Sequence, residues 1–127
     1  MAETPVKSNY HTVTPYLINR EAEQVIEFVK QAFDGKELFR GIGSAGGIHA
    51  EVQIGDSIVM IGGTVQSEPM PETLYLYIDD VDTTYKRALS AGAASIMEPA
   101  DQSFGDRLAG VKDLAGNIWY IAAPIKS

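Results

Sequence analysis

The stretch Ile48–Gly62, IHAEVQIGDSIVMIG, decides how this chain is read. It divides at Gly55-Asp56 into two runs of strand-forming residues, the pattern of a β-hairpin. In the first run Ala50, Val52 and Ile54 alternate with His49, Glu51 and Gln53. Successive strand side chains point to opposite faces of a sheet. One face is therefore apolar and belongs to a core. The other carries a His, a Glu and a Gln, and must meet water or a ligand. His49 and Glu51 stand two residues apart, which puts their Cα atoms about 7 Å from each other. An imidazole beside a carboxylate can serve as a general base near neutral pH. These two are the candidate catalytic residues.

Working outward, Thr12–Ile18 reads as a strand, with Val13, Pro15 and Leu17 on one face and Thr14, Tyr16 and Ile18 on the other. Pro15 has no amide donor, which suits an edge strand. Asn19 is a candidate N-cap. Ala22, Val25, Ile26, Val29, Ala32 and Phe33 then fall on one helical stripe, which Asp34-Gly35 ends. Glu37–Ile42 is a strand and Gly43–Gly47 a flexible turn before the hairpin. Thr64–Thr73, with Pro69 and Pro71, is linker-like. The order then repeats. Leu74–Ile78 is a strand, and Asp79 or Asp80 caps a helix reaching Ala91, with Val81, Tyr85, Ala88 and Leu89 inward. Strands follow at Ser95–Glu98, Arg107–Lys112 and, after Gly116-Asn117, Ile118–Ala122.

Each half thus reads β-α-β-β-β. The expected fold is α+β: two βαβββ modules, about residues 11–63 and 73–123 of a single domain spanning 1–127, forming a curved mixed eight-stranded sheet around a cleft. Each helix covers the outer face of its sheet. Parity then puts Tyr16, His49, Glu51, Met60, Tyr75, Tyr77 and Tyr120 on the border of one concavity. Val13, Leu17, Ala50, Val52, Ile61, Leu76 and Trp119 should face helices.

Bulk composition narrows the function. A net charge of −7 argues against a nucleic-acid partner, because phosphate binding needs clustered Lys and Arg. The absence of cysteine excludes disulfides, thiol catalysis and Cys-ligated metal. No apolar run approaches membrane-spanning length, and Met1–Asn9 has no signal-peptide pattern. No membrane partner is expected, and the expected location is cytoplasmic.

The segments TPYLIN (14–19), AEQVIEFVKQAFDGKELFR (22–40), HAEVQIGDSIVMI (49–61), LYLYIDDVD (74–82), KRALSAGA (86–93) and FGDRLAGVKDLAGNIWYIA (104–122) together resemble the glyoxalase/bleomycin-resistance/dioxygenase superfamily, also called vicinal oxygen chelate. Within it they are most similar to the PhnB-like branch. The resemblance covers residues 12–123. In glyoxalase I-like members a divalent metal is held by a His or Gln on the first strand of each module and a Glu on the last. Those positions fall here at Thr14, Thr73, Met60 and Tyr120. Two hydroxyls, a thioether and a phenol are a poor set for Zn²⁺, Ni²⁺ or Fe²⁺. No metal or other cofactor is therefore expected; a metal site would have to draw on His49, Glu51 and His11 in another arrangement.

Tyrosines offer flat area and one hydrogen bond each, which suits a small-molecule pocket. The PhnB-like run Phe104-Gly105-Asp106-Arg107 adds Phe104 and Arg107, whose guanidinium could hold an anionic group or pair with Asp106, Glu98 or Asp101. The expected ligand-binding set is Tyr16, His49, Glu51, Met60, Tyr75, Tyr77, Phe104, Arg107 and Tyr120. Gly41–Gly46 matches G-x-G-x-x-G, but no helix follows to receive a pyrophosphate, so it is not a dinucleotide site. Asp79–Asp82 lacks the Gly and the terminal Glu of a calcium loop. The resemblance implies a homodimer. It favours metal-independent binding of a small aromatic or amphipathic molecule, as in sequestration or resistance. The alternative is a metal-dependent lyase, isomerase or dioxygenase of glyoxalase type with a non-standard site.

Overall fold

The computed structural model describes residues 10–43, 46–64 and 70–125. The Met1–Asn9 arm, Ser44-Ala45 of the glycine turn and residues 65–69 of the linker lie outside the described residues. The element order is β1 (Tyr16–Ile18), α1 (Ala22–Phe33), β2 (Lys36–Ile42), β3 (Gly46–Ile54), β4 (Ser57–Thr64), β5 (Thr73–Tyr77), α2 (Val81–Ser90), β6 (Ala94–Asp101), β7 (Asp106–Lys112) and β8 (Ile118–Pro124). The module β-α-β-β-β therefore occurs twice. Hydrogen bonding divides the eight strands into two four-stranded mixed sheets, ordered β1-β4-β3-β2 and β5-β8-β7-β6. In each, the strand before the helix runs parallel to the last strand and the other pairs are antiparallel.

The α1 stripe is buried throughout, and Phe28 joins it. Asp34 closes the helix in the left-handed conformation, φ 57°. In α2 the inward residues are Val81, Thr84, Tyr85 and Ala88. Leu89, expected inward, is exposed, because Thr84 and Ala88 already complete the stripe against the sheet. Asp80 caps α2 by accepting from the Thr83 amide at 3.1 Å. Asn19 does not cap α1, since Glu21 occupies that position without a side-chain bond. Asn19 is buried instead, its amide donating to the Gly62 carbonyl at 3.0 Å.

One apolar core serves both modules. It combines Leu17, Val52 and Ile61 of the first sheet, both helices, and Val111, Trp119 and Ile121 of the second. The Trp119 ring on β8 packs against Phe33 of the other module's helix, centroids 5.1 Å apart. A polar link accompanies it. Asp113 accepts from Trp119 Nε1 at 2.8 Å and Asn117 Nδ2 at 3.1 Å, and Asn117 Nδ2 also donates to Asn19 Oδ1 at 3.0 Å. Val13, expected to face a helix, is 81% exposed. The reason is Pro15, which has no N–H to continue the ladder, so the strand begins only at Tyr16. Its carbonyl still accepts from the Met60 amide at 2.9 Å.

Candidate functional site

Because both helices and the inner sides of both sheets close on one core, the polar and aromatic faces of the two sheets are turned away from it. The expected single concavity is accordingly divided: Tyr16, Tyr75 and Tyr77 border one cavity, while His49, Glu51, Met60 and Tyr120 stand outside its lining, on one face per sheet.

On the first face, strand register lays Tyr16, Met60, Glu51 and Phe39 in one row across β1, β4, β3 and β2. The next row carries Ile18, Gly62, His49 and Gly41. The two glycines leave room beside His49, and rings from the first row lean into it. A Cβ on Gly62 would lie 3.0 Å from the Tyr16 ring. His49 thus sits edge-on to Tyr16, centroids 5.8 Å apart, with Phe39 at 6.4 Å on its other side. Its Nε2 is 3.4 Å from Glu51 Oε2. Glu51 is buried. Burial first, and then the nearby Glu51 carboxylate, push the Tyr10 phenol well above the usual tyrosine range. The result is an imidazole oriented by a carboxylate between two rings, able to hold or move one proton.

On the second face, Tyr75, Tyr120, Gly110 and Met97 form the equivalent row across β5, β8, β7 and β6. Gly110 repeats the role of Gly62: a Cβ there would lie 3.1 Å from the Tyr120 ring. Tyr75 sits between the other two tyrosines, with centroids 5.5 Å from Tyr77 and 6.0 Å from Tyr120. Both Tyr75 and Tyr77 donate to Asp106 Oδ2, at 2.7 and 2.9 Å. Desolvation, with the Asp106 hydrogen bond, pushes the Tyr75 phenol up to about 12. The Asp106 bond is the main cause of the same upward shift at Tyr77.

Between the modules lies a third feature, a cavity of about 1140 Å³ along β1 and β5. Phe33, Leu76 and Trp119 are among its apolar lining, and Tyr16, Tyr75 and Tyr77 line it together. His49, Glu51, Met60 and Tyr120 are not part of that lining.

The Mycobacterium bovis protein Mb0911c is 34% identical over a 127-residue alignment that covers 90% of this chain and 84% of the relative. The chain belongs to its family. Family members include Rv0887c of Mycobacterium tuberculosis, also 34% identical, with 90% of this chain and 75% of the relative aligned. No model of a known protein family matches the sequence. Among solved structures, TioX from Micromonospora sp. ML1 superposes with a TM-score of 0.75 at 22% identity, over 91% of this chain and 99% of TioX. A glyoxalase/bleomycin resistance protein/dioxygenase family enzyme from Burkholderia phytofirmans gives 0.70 at 17% identity, over 87% and 95%. The fosfomycin resistance protein FosX from Mesorhizobium loti gives 0.67 at 19% identity, over 91% and 92%. This member of the mycobacterial family therefore has the glyoxalase/bleomycin-resistance/dioxygenase fold.

That fold raises the question of a metal. Across the ladders Met60 faces Tyr16 and Glu51, and Tyr120 faces Tyr75 and Gly110, so Glu51 is the one carboxylate opposite either position and no imidazole stands there. Thr73 pairs with Ile118, and Thr14 precedes β1. Among the described residues no three His, Cys, Asp or Glu side chains gather closely enough to hold an ion. The donor set does not fit a divalent metal. His11, the reserve ligand, lies away from His49; its Nε2 is 2.9 Å from the Asp56 carbonyl in the β3–β4 turn.

Two expected ligand contacts are placed elsewhere. Arg107 stands on the helix side of β7, where Asp82 of α2 takes its guanidinium in two bonds of 2.7 and 3.0 Å, and Asp101 takes a third at 3.1 Å. Those carboxylates raise its pKa further, and Arg107 holds Asp82 below the usual carboxylate range. Phe104 is 64% exposed on the β6–β7 turn, where Gly105 adopts φ 101°. Asp106, read as a surface partner for Arg107, is instead the acceptor for two tyrosines. Parity along β7 could have found it, since Asp106 and Arg107 must face opposite ways. Phe39 escaped notice because a register shift between Glu37 and Phe39 interrupts the β2 alternation.

Proposed function

We propose that this protein binds a small aromatic or amphipathic molecule without a metal, as a sequestering or resistance-type member of the glyoxalase/bleomycin-resistance superfamily. The observation that carries this reading is the matched pair of faces. Each module presents aromatic rings over a glycine, beside one carboxylate, at strand positions where metal chemistry would need imidazoles and carboxylates. Such surfaces bind flat molecules through ring contact and a few placed hydrogen bonds. The fold shared with a fosfomycin resistance protein agrees with it. The FGDR run supports assignment to the PhnB-like branch.

Each face alone is open. A homodimer in which the first face of one copy meets the second face of another would close two clefts, and we place binding there, in a cytoplasmic protein. The His49–Glu51 contact favours a second reading, a lyase or isomerase step with His49 as base. A thermal-shift screen of chelator-treated protein against planar aromatic compounds separates the two readings. Stabilisation that persists in chelator supports binding without metal. Turnover of a stabilising compound, abolished by His49→Ala, would replace it with the enzyme.

A further inference from the structure

We propose that Tyr75 and Tyr77, both bonded to the Asp106 carboxylate, form with Tyr120 beside Tyr75 a seat for an organic cation: an ammonium group carrying apolar substituents. The proposal rests on the small-molecule reading above and names the ligand class for its second face. Three observations carry it. The three rings crowd together, with Tyr75 in the middle and interplanar angles of 53° and 39°, and they are accessible, Tyr77 most of all. Ring faces attract cations through the aromatic quadrupole, most strongly when several rings share the contact. Second, the phenols of Tyr75 and Tyr77 are fixed by donating to one carboxylate oxygen, which orients both rings before a ligand arrives. A donating phenol also becomes more electron-rich, which strengthens its ring as a cation acceptor.

The third observation is charge balance. Among the described residues no Lys, Arg or His pairs with Asp106. Its neighbour Arg107 is committed to Asp82 and Asp101 on the opposite side of the strand. Asp106 is buried against the tyrosines, so water compensates its charge poorly. A ligand cation would supply the missing partner. An anion would meet only negative charge, and a metal ion would find one carboxylate and no further ligand of suitable chemistry.

The test uses the intact protein and a pair of probes of nearly equal shape, choline and its neutral carbon isostere 3,3-dimethyl-1-butanol, titrated by NMR on the tyrosine ring signals. Choline is expected to bind at least about tenfold more tightly than the isostere. Asp106→Asn, which keeps an acceptor oxygen for the phenols, should weaken choline about tenfold and leave the isostere unchanged. Tyr120→Leu should weaken choline without moving the melting temperature by more than a few degrees. Equal binding of the two probes to the unmodified protein overturns the proposal, whatever the variants do. Unchanged choline binding in a folded Asp106→Asn protein overturns it as well. If choline fails while planar neutral compounds still stabilise the protein, the cation seat is wrong and the small-molecule reading stands. If both classes fail, both fall.

Discussion

Replacing Asp113 by asparagine keeps the shape of the side chain and turns one of its two acceptors into a donor. In the native protein both carboxylate oxygens are used. One accepts from the amides of Ala115 and Asn117, at 2.9 and 3.0 Å. The other accepts from Trp119 Nε1 and Asn117 Nδ2, at 2.8 and 3.1 Å. Asparagine can satisfy one pair, and its NH₂ then faces the donors of the other. If the backbone pair keeps the oxygen, Trp119 Nε1 is left without an acceptor in a fully buried place, while Asn117 Nδ2 retains Asn19. A buried donor left unmade costs roughly 1–3 kcal/mol, and apposed donors add to it. Relief of the buried charge offsets part of the loss. We expect about 2 kcal/mol from Asp113→Asn and about 4 kcal/mol from Asp113→Ala, against a total of roughly 5–15 kcal/mol for a domain. Urea unfolding followed by Trp119 fluorescence measures both, with an unchanged slope as the sign that stability alone has moved. An Asp113→Asn protein within about 0.5 kcal/mol of the parent would refute the view that this carboxylate is held by four donors.

Val52→Ala deletes buried methyl groups and should cost about 2 kcal/mol, whereas His49→Ala, on the open face, should cost about 1 kcal/mol or less in the same urea assay; equal losses would make His49 a core residue. Raising the pH tests the tyrosine face. A phenol with a folded-state pKa of about 12 stabilises the fold fully below its ordinary value near 10, and that contribution is lost as pH rises from there toward 12. Native protein should therefore show late-ionising phenolate absorbance that Tyr75→Phe diminishes, the remainder coming from Tyr77 and Tyr10, and ionisation of all six tyrosines together near pH 10 would count against the geometry. Arg107→Ala should loosen α2 slightly and leave ligand affinity unchanged, because its guanidinium is held by Asp82 and Asp101; a tenfold loss of affinity would return Arg107 to the site.

Much of the fold was legible because the apolar alternation in IHAEVQIGDSIVMIG and the helical stripe of Ala22–Phe33 each admit one burial pattern. Leu17, Ala50, Val52, Ile61 and Trp119 are all fully buried as parity requires. What parity does not contain is how two modules meet. It placed the Tyr16 and Tyr120 faces in one concavity, whereas a core shared through Trp119 and Phe33 turns them outward on separate sheets. Asn19 shows the same limit. Its position before a helix suggests a cap, and its partner is Asn117 of the other module, which no local pattern announces. At Arg107 the pairing with Asp101 was among the readings, whereas Asp82 as its main partner and Asp106 as the acceptor for two tyrosines were not. Phe39 was hidden by the β2 irregularity.

We propose that the aromatic faces bind a small molecule without metal. The most direct measurement is the melting temperature of chelator-treated protein across a set of planar aromatic and ammonium compounds, repeated on His49→Ala and Tyr120→Leu. At least one compound should raise the melting temperature equally with and without chelator, and one of the two substitutions should abolish the rise. Stabilisation that appears only after a divalent metal is added, or that survives both substitutions, would contradict it.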